Sequence, residues 1–347
     1  MEEKEHKRRV RYKGKYPRRF EEKYKELDPD RYREDVEKIR EKGKTPAGTH
    51  IPIMVSEILE VLNISPGETG YDATLGYGGH TTEMLRCLKG EGHIYATDVD
   101  PIESAKTEKR LSEAGFGPEI LTVRHMNFAD CDRVAPGKKF DFVLADLGVS
   151  SMQIDNPERG FTYKADGPLD LRLNPESGET AAKRLQSLTE EELAGMLREN
   201  ADEPYAGEIA AEVRKTLRKG QKIETTVQLA DIVRQALKGA HKTQEDDVRK
   251  SCQRTFQALR IDVNSEFEVL YAFLDKLPEI LAPGGRAAVL TFHSGEDRLV
   301  KKAFREGKRI GIYQEISEDA VRPSAGECYR NPRAHSTKLR WAVKSGK

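Results

Sequence analysis

Cysteine is scarce in this sequence: four residues among 347. They lie far apart and form no C-x-x-C pair, which argues against a disulfide framework and against a zinc site. We therefore expect no metal, and a reducing, cytoplasmic environment. The four are Cys87, Cys131, Cys252 and Cys328.

Long apolar runs are missing as well. No stretch is long enough to span a bilayer, and the first residues lack the apolar core of a signal peptide. An excess of one charge is also absent, since 59 Lys and Arg balance 59 Asp and Glu. With 34% charged residues and a mean hydropathy of −0.71, the sequence predicts a well-solvated protein that does not enter membranes. The length allows one large domain or two ordinary ones.

The charges are nevertheless unevenly distributed. Residues 7–19 carry only basic charges, with Tyr12 and Tyr16 among them. Residues 1–46 are polar and poor in aliphatic side chains, and the stretch 43–48 reads as a hinge. We interpret 1–46 as a charged N-terminal arm, which either grips RNA through phosphate contacts and stacking or is a solvated tail.

The most informative stretch is 70–80, GYDATLGYGGH. A strand-like run ends at Asp72, a glycine-rich turn follows, and a helix-like segment opens near Thr81. Such a turn lets backbone N–H groups approach a ligand closely at an electropositive helix start. A second strand-like run ends at Asp98, close to where a nucleotide ribose would sit. Together these features predict a nucleoside-cofactor pocket.

Strand-like and helix-like segments alternate from Ile53 onward, which predicts a parallel sheet with helices on both faces. Three acids, Asp72, Asp98 and Asp146, end predicted strands, at the edge where open α/β sheets bind ligands. The alternative is that these acids cap nearby turns. A dehydrogenase would also use Asp98, but the loop lacks the spaced three-glycine fingerprint. A P-loop is excluded because no phosphate-binding lysine follows.

The alternation breaks between 155 and 258, where the pattern is mostly helical, and the sheet pattern resumes over 286–292. Segment 187–193 has capping-box character, and 225–237 is amphipathic. We therefore predict a discontinuous catalytic domain, 47–154 and 259–347. The predicted helical insert, 155–258, is expected to help grip RNA.

Ten sequence blocks between His50 and the C-terminus carry a specific resemblance to a known family. In these blocks, which follow one another in the family's order, the chain resembles the bacterial 16S ribosomal RNA cytosine-N4 methyltransferase family. The blocks are DATLGYGGH (72–80), DLGVSS (146–151), QID (153–155), ERGF (158–161), DGPLDLR (166–172), RTFQALRIDVN (254–264), FHS (292–294), EDR (296–298), NPR (331–333) and KLR (338–340).

The resemblance implies a Rossmann-like class I fold that uses S-adenosylmethionine as methyl donor. It implies that the donor pocket contains Gly78, Gly79 and His80 at the methionine end, Asp98 at the ribose, Phe128 beside the adenine, and Asp146 with Gln153 completing it. From the residues alone, core packing is favoured over a ligand contact for Phe128, and a helix-start role is an alternative to ligand contact for His80.

The acceptor side is less defined by the sequence. Methylating an exocyclic amine requires the base to leave its stack and orient its nitrogen toward the methyl group. The candidates for catalysis are Asp146, Asp155 and His293, and no general base is assigned. Arg159 and Asp170 are further candidates for shaping the pocket. A hydrolase based on His293 is disfavoured because no G-x-S-x-G elbow is present.

The chain departs from the family pattern at several places. It has LGYGG at 75–79 where the family pattern is FGRGG, Gly295 where the pattern has Leu, and His335 where it has Arg. Together with the arm, these differences suggest a divergent branch or a second copy. The expected activity is N4-methylation of the decoding-centre cytidine, with 16S rRNA or the small ribosomal subunit as partner. The alternatives are another RNA position, or a non-catalytic ribosome-assembly factor. Oligomeric state stays open, with a dimer as one option.

Overall fold

The computed structural model describes residues 52–240 and 244–346. The predicted arm, 1–46, and the hinge at 43–48 lie outside these residues. In the part described, no helix has the length and apolar character needed to cross a membrane.

A seven-stranded sheet organises the described residues, in the order β3-β2-β1-β4-β5-β7-β6. The first five strands in this order are parallel, and β7 runs antiparallel between β5 and β6. The predicted α/β fold class is confirmed. The strands are β1 (Thr69–Asp72), β2 (His93–Asp98), β3 (Leu121–His125), β4 (Phe140–Asp146), β5 (Leu281–Thr291), β6 (Tyr313–Ile316) and β7 (Lys338–Lys344).

The strand order reverses between β1 and β4, because the chain moves outward from β1 through β2 to β3 and then returns. Crevices for ligands form at such a reversal, outside the carboxyl ends of the strands. Asp72, Asp98 and Asp146 each end a strand at this edge, as the sequence predicted. Gly70 permits the tight pairing of β1 with β4, because a Cβ there would lie 2.0 Å from the Phe142 ring.

The helices cover both faces of the sheet and fill the connection between β4 and β5. The capping box predicted within 187–193 is formed by Thr189 and Glu192, and a second one by Thr225 and Gln228. The helices are α1 (Val55–Leu62), α2 (Gly79–Leu88), α3 (Pro101–Glu113), α4 (Ser151–Asp155), α5 (Ala181–Ser187), α6 (Glu190–Ala201), α7 (Ala206–Arg218), α8 (Thr226–Gly239), α9 (Glu245–Asn264), α10 (Glu266–Ile280), α11 (Ser294–Arg309) and α12 (Ala325–Arg330).

The segment between β4 and β5 has a hydrophobic core of its own. Its buried side chains run from Leu169 to Leu259, while two other clusters lie on the two faces of the sheet. Among its described residues this segment adds no strand to the seven-stranded sheet. Helix α9 is continuous across the predicted insert boundary at 258 and ends at Asn264. The insert limits and an RNA-binding role stay predictions.

Candidate functional site at the carboxyl edge of the sheet

The glycine loop joins β1 to α2 and contains two positions that only glycine satisfies. Gly78 precedes α2 with φ 66°. A Cβ at Gly78 would lie 2.9 Å from Cγ2 of Thr107 and 3.1 Å from a methyl group of Leu111. A Cβ at Gly79 would lie 2.5 Å from Cγ of Pro52. Close packing against α3 and against Pro52 therefore fixes both glycines, and it also fixes the path of the loop along the crevice.

His80 is buried, and both of its ring nitrogens face protein groups. Nε2 lies 2.9 Å from the carbonyl oxygen of Ile53, and Nδ1 lies 3.4 Å from Oδ2 of Asp146. Since a carbonyl only accepts, Nε2 carries a proton, and Nδ1 donates to the carboxylate only when the ring is charged. Burial alone would lower the pKa of His80, but the hydrogen bond and charge of Asp146 raise it above its ordinary value. His80 thus positions Asp146, while its predicted contact with the methionine end of the donor stays a prediction.

Asp146 offers an open acceptor at the edge. Its backbone N–H donates to Oγ1 of Thr74 at 2.7 Å, which anchors the end of β4 to the glycine loop. Its Oδ1 atom is buried and has no hydrogen-bond partner among the described residues. A buried carboxylate oxygen without a partner is costly, so this atom suits an N–H or O–H group of a bound molecule.

Asp98 is held by backbone groups on both sides. Oδ2 accepts from the N–H of Gly76 at 2.7 Å, and Oδ1 accepts from the N–H of Asp100 at 2.8 Å. Burial raises the pKa of Asp98 to about 6, although these two hydrogen bonds oppose the rise. Each oxygen keeps a second lone pair, so the carboxylate is fixed in position and can still accept from ribose hydroxyls.

Asp72 has a different role from the other two acids. It is fully buried and accepts from Oγ1 of Thr81 at 2.7 Å and from the N–H of Thr74 at 3.1 Å. Burial raises its pKa. These contacts stabilise the loop and the first turn of α2, so the turn-capping alternative applies to Asp72.

Asp100 is a site residue that the sequence analysis missed. Its side chain is fully buried and accepts at 2.7 Å from Nη1 of Arg159 and at 3.1 Å from Nε2 of Gln153. It also accepts from the N–H groups of Ile102 and Glu103 at the start of α3. Asp100 before Pro101 is a helix-start signal, but its partners come from far along the sequence. Gln153 therefore meets the loop between β2 and α3 through Asp100, and its contact with the donor stays a prediction.

Arg159 extends the same network toward the helical segment. Its Nη2 donates to the carbonyl oxygens of Arg172 at 3.2 Å and Leu173 at 2.8 Å. The pairing ties the chain after α4 to the loop after β2. Asp170, the other pocket-shaping candidate, pairs with the neighbouring Arg172 at 2.7 Å.

Phe128 lies in a short 3₁₀ helix, Phe128–Arg133, after β3. Its ring is partly buried and packs edge-on against Phe273, with centroids 5.4 Å apart. The ring of Phe128 therefore packs against a core side chain, as the core-packing alternative expects. A contact with the adenine stays a prediction.

The remaining catalytic candidates are engaged by neighbouring side chains. Asp155, at the end of α4, pairs with Nη2 of Arg333 at 2.9 Å. His293 precedes α11, where its Nδ1 accepts from the N–H of Glu296. Its Nε2 is buried and lies 3.2 Å from Oε1 of Glu296, but it makes no hydrogen bond within the described residues. Burial would raise the pKa of Glu296, but the hydrogen bond and charge of His293 lower it. His293 follows β5 and so reaches the same edge, because Asp146 lies opposite Leu290 in the sheet.

One group of the described side chains has the composition of a metal site. Ligand atoms of Glu266, His293 and Glu296 all lie within 4.8 Å of one another. Arg260 already pairs with both oxygens of Glu266, at 2.7 and 2.9 Å. The guanidinium supplies the positive charge that two carboxylates need, so these contacts support an ion-pair network.

The fold and the edge together define a class of protein. A sheet with the order 3-2-1-4-5-7-6, parallel except for an antiparallel β7, carries a glycine loop after β1 and a partly buried acid, Asp98, at the end of β2. This is a class I methyltransferase, and S-adenosylmethionine is its methyl donor, as the sequence predicted. The chain belongs to the MraW methylase family, whose sequence profile matches residues 47–345.

Individual relatives extend the match to the whole chain. It is 62% identical over 346 residues to ribosomal RNA small subunit methyltransferase H 1 of Agathobacter rectalis, covering 99% of both chains. It is 58% identical to ribosomal RNA small subunit methyltransferase H 2 of Alkaliphilus metalliredigens, again covering 99% of both. Against ribosomal RNA small subunit methyltransferase H of Heliobacterium modesticaldum it is 40% identical, covering 85% of this chain and 98% of that one. The relatives named H 1 and H 2 are thus more similar in sequence to this chain than the relative named H, and the divergent branch or second copy stays a prediction.

Proposed function

We propose that this protein methylates N4 of a cytidine in 16S rRNA, at the decoding centre, with S-adenosylmethionine as donor. The observation that carries the proposal is the 62% identity, over nearly all of both chains, to a relative named as a small-subunit rRNA methyltransferase. The substrate is then 16S rRNA or the small ribosomal subunit, and the location is the cytoplasm.

The donor side of the proposal uses groups at the strand ends. Asp98 accepts from the ribose hydroxyls, and the path fixed by Gly78 and Gly79 brings backbone groups close to the methionine end. Phe128 offers the free part of its ring to the adenine. When bound, S-adenosylmethionine supplies an electrophilic methyl group. The donor fits this edge, because Asp146 Oδ1 lacks a partner and each Asp98 oxygen keeps a free lone pair.

The acceptor side requires orientation more than acid–base chemistry. The cytosine amine must direct its nitrogen lone pair at the methyl carbon and lose a proton during or after the transfer. Among the three candidates, Asp146 has the free acceptor atom, whereas Asp155 is paired with Arg333 and His293 faces Glu296. We therefore assign Asp146 to hold an N–H group where donor and acceptor meet, with His80 fixing its other oxygen.

Methyl transfer by the purified protein tests this function. The assay uses radiolabelled donor with small subunits, and in parallel with free 16S rRNA, from cells that lack this methylation. Nuclease digestion and mass spectrometry then locate the product. Label in N4-methylcytidine at a single decoding-centre position supports the proposal.

The same assay separates the alternatives. Label at another nucleotide supports methylation of a different RNA position. Donor binding without transfer to either substrate supports the non-catalytic assembly factor. The Asp146→Asn variant is the matched control, because it keeps the size of the side chain and removes the carboxylate.

A further inference from the structure

We propose that Tyr329, together with Arg330, is a stacking platform for an unpaired nucleotide next to the target base. The inference rests on the proposed RNA substrate and assigns an RNA-binding contact to a part of the chain outside the donor and acceptor machinery. It is carried by the position of the segment, its anchoring and its surface chemistry.

The segment joining β6 to β7 lies at the reacting edge. Since β7 is antiparallel to β5, its first residue, Lys338, lies opposite Thr291, the last residue of β5. The connection from 317 to 337 therefore crosses the carboxyl edge of the sheet, where Asp146 and His293 also lie. Helix α12 and the 3₁₀ helix Pro332–Ser336 are both within it.

Two long-range contacts hold this segment in place. Oε1 of Glu327 accepts from the backbone N–H of Met54 at 2.7 Å, which joins α12 to the start of α1. Arg333 pairs with Asp155 at 2.9 Å, which joins the 3₁₀ helix to α4, directly after the acceptor loop, the residues 146–151 that begin at the proposed acceptor-binding Asp146. Tyr329 lies between the two anchors, two residues after Glu327 and four before Arg333. Its backbone is thus preorganised beside the acceptor loop.

The surface chemistry of this stretch suits RNA. Tyr329 is 85% exposed, more than any other large hydrophobic residue in the described ranges. Arg330 is exposed, and no acidic side chain of the described chain pairs with it. Arg333 and His335 are exposed as well. An aromatic ring stacks on any unpaired base, and an adjacent guanidinium binds its phosphate.

A second exposed tyrosine provides a matched comparison. Tyr271 on α10 is 67% exposed and lines a groove with Phe267, Glu268 and Arg298. The guanidinium of Arg298 is paired with Asp202 at 3.4 Å, unlike that of Arg330, so we expect no RNA contact there. Tyr271→Ala therefore controls for the loss of an exposed tyrosine at another position.

Steady-state methylation of small subunits by the full-length protein tests the proposal. We expect Tyr329→Ala to raise KM for the subunit about tenfold and to leave the Kd for S-adenosylmethionine unchanged. Tyr329→Phe keeps the ring and should behave as wild type. Arg330→Ala should reduce the slope of log affinity against log salt by about 0.7–0.9, the loss of one phosphate contact.

The experiment distinguishes failure of the stacking platform from failure of the proposed methyltransferase function. If the wild-type protein methylates no small-subunit RNA, the proposed function fails and this inference fails with it. If the wild type is active and Tyr329→Ala has an unchanged KM, or Tyr271→Ala shows an equal loss, only the platform is contradicted. Filter binding to free 16S rRNA completes the test, because a defect confined to assembled subunits would identify a ribosomal protein as the contact and overturn it.

Discussion

At the scale of single residues, the site depends on carboxylates whose surroundings differ. Asp72 is fully buried among its loop donors, Asp98 is partly exposed and fixed by two backbone N–H groups, and Asp146 keeps one oxygen without a partner among the described residues. Only the last two can add a partner from a ligand at the edge. Substitutions at these positions should therefore separate donor binding from loop stability.

Asp98→Ala should weaken donor binding by about 1.5–3 kcal/mol, because a charge-assisted hydrogen bond to the ribose is lost. Calorimetric titration with S-adenosylmethionine measures this. Asp141→Ala is the matched control, since Asp141 also accepts a backbone N–H, from Thr69 at 2.8 Å, but at the start of β1. Equal donor affinity in wild type and Asp98→Ala would remove Asp98 from the donor site.

The raised pKa of Asp98 predicts a pH dependence of donor binding. A carboxylate accepts hydrogen bonds from hydroxyl groups better than a protonated carboxyl group does. Because the pKa of Asp98 is about 6, the group becomes increasingly protonated below that pH. Donor affinity should then fall as the pH drops through about 6 and level off above it. The free energy of unfolding changes with pH in the opposite direction. Folding favours the protonated form of Asp98, so its contribution to stability is fully present below pH 3.8 and is lost as the pH rises through about 6.

Titrations at several pH values, for wild type and Asp98→Ala, test this dependence. The variant should show a flatter profile between pH 5 and 7, at roughly one unit either side of the wild-type pKa. A wild-type profile that is level across that range, or an equally steep profile in the variant, would contradict it.

Gly78→Ala should destabilise the protein by about 1–3 kcal/mol, the cost of holding a non-glycine residue at positive φ, and the close approach to Thr107 adds to this. Gly90→Ala isolates the first contribution, because Gly90 has φ 84° and open space around its Cβ position. Chemical denaturation of both variants gives the comparison. Equal losses would show that the packing of Gly78 against α3 has no energetic weight.

At the scale of elements, the network of Asp100, Gln153 and Arg159 connects three separate parts of the chain. It joins the start of α3 to α4 and to the loop that carries Arg172 and Leu173. The loop after β2 borders the predicted donor site, and the loop around Arg172 leads into the helical segment. The network is therefore a physical link between the predicted donor pocket and the predicted RNA-binding insert.

Arg159→Ala should cost about 3–5 kcal/mol, because it leaves the buried Asp100 carboxylate without its cationic partner. Lys276→Ala is the control: Lys276 pairs with Asp132 at 2.7 Å on the surface, and such pairs contribute about 0–1 kcal/mol. Urea denaturation and limited proteolysis of the 157–173 segment are the measurements. A loss for Arg159→Ala as small as that for Lys276→Ala would show that the link is unimportant.

Sequence patterns predicted the elements better than the contacts between them. The ends of β1, β2 and β4 at Asp72, Asp98 and Asp146 followed from local hydrophobic runs. The start of β5 did not: the sequence placed it at Arg286, while the strand begins at Leu281, because Leu281 pairs with Phe140 across an irregular register. Pro283 and two glycines make this stretch read as a turn.

The side-chain contacts within the site could not be predicted from the sequence as the strand ends were. Asp100 and Arg159 are 59 positions apart, and Asp155 and Arg333 are 178 apart. Local periodicity carries no information on such pairs, since the fold alone brings them together. His80 was placed at the donor by resemblance, whereas its bonds to Ile53 and Asp146 depend on the packing of α1 beside α2.

At the scale of the whole molecule, the arm is a feature the described residues do not include. Deleting residues 1–46 should raise the apparent KM for the RNA substrate and flatten its salt dependence, because the basic stretch 7–19 would no longer meet phosphates. Donor affinity should stay almost unchanged. Replacing the basic residues of 7–19 by glutamine is the control that keeps the length. Equal RNA affinity and salt slope in all three proteins would reduce the arm to a solubility or folding role.

The proposed N4-methylation of a 16S rRNA cytidine is tested most directly by mass spectrometry of 16S rRNA from a strain that lacks this protein. Because a second enzyme of the same family would mask the loss, the strain also lacks any other member of the family, and the comparison includes this strain complemented with wild type or with Asp146→Asn. We predict that N4-methylation of one decoding-centre cytidine is lost on deletion and restored only by the wild-type chain. An unchanged N4-methylcytidine signal, or loss of a methyl group from a different nucleotide, would contradict the account.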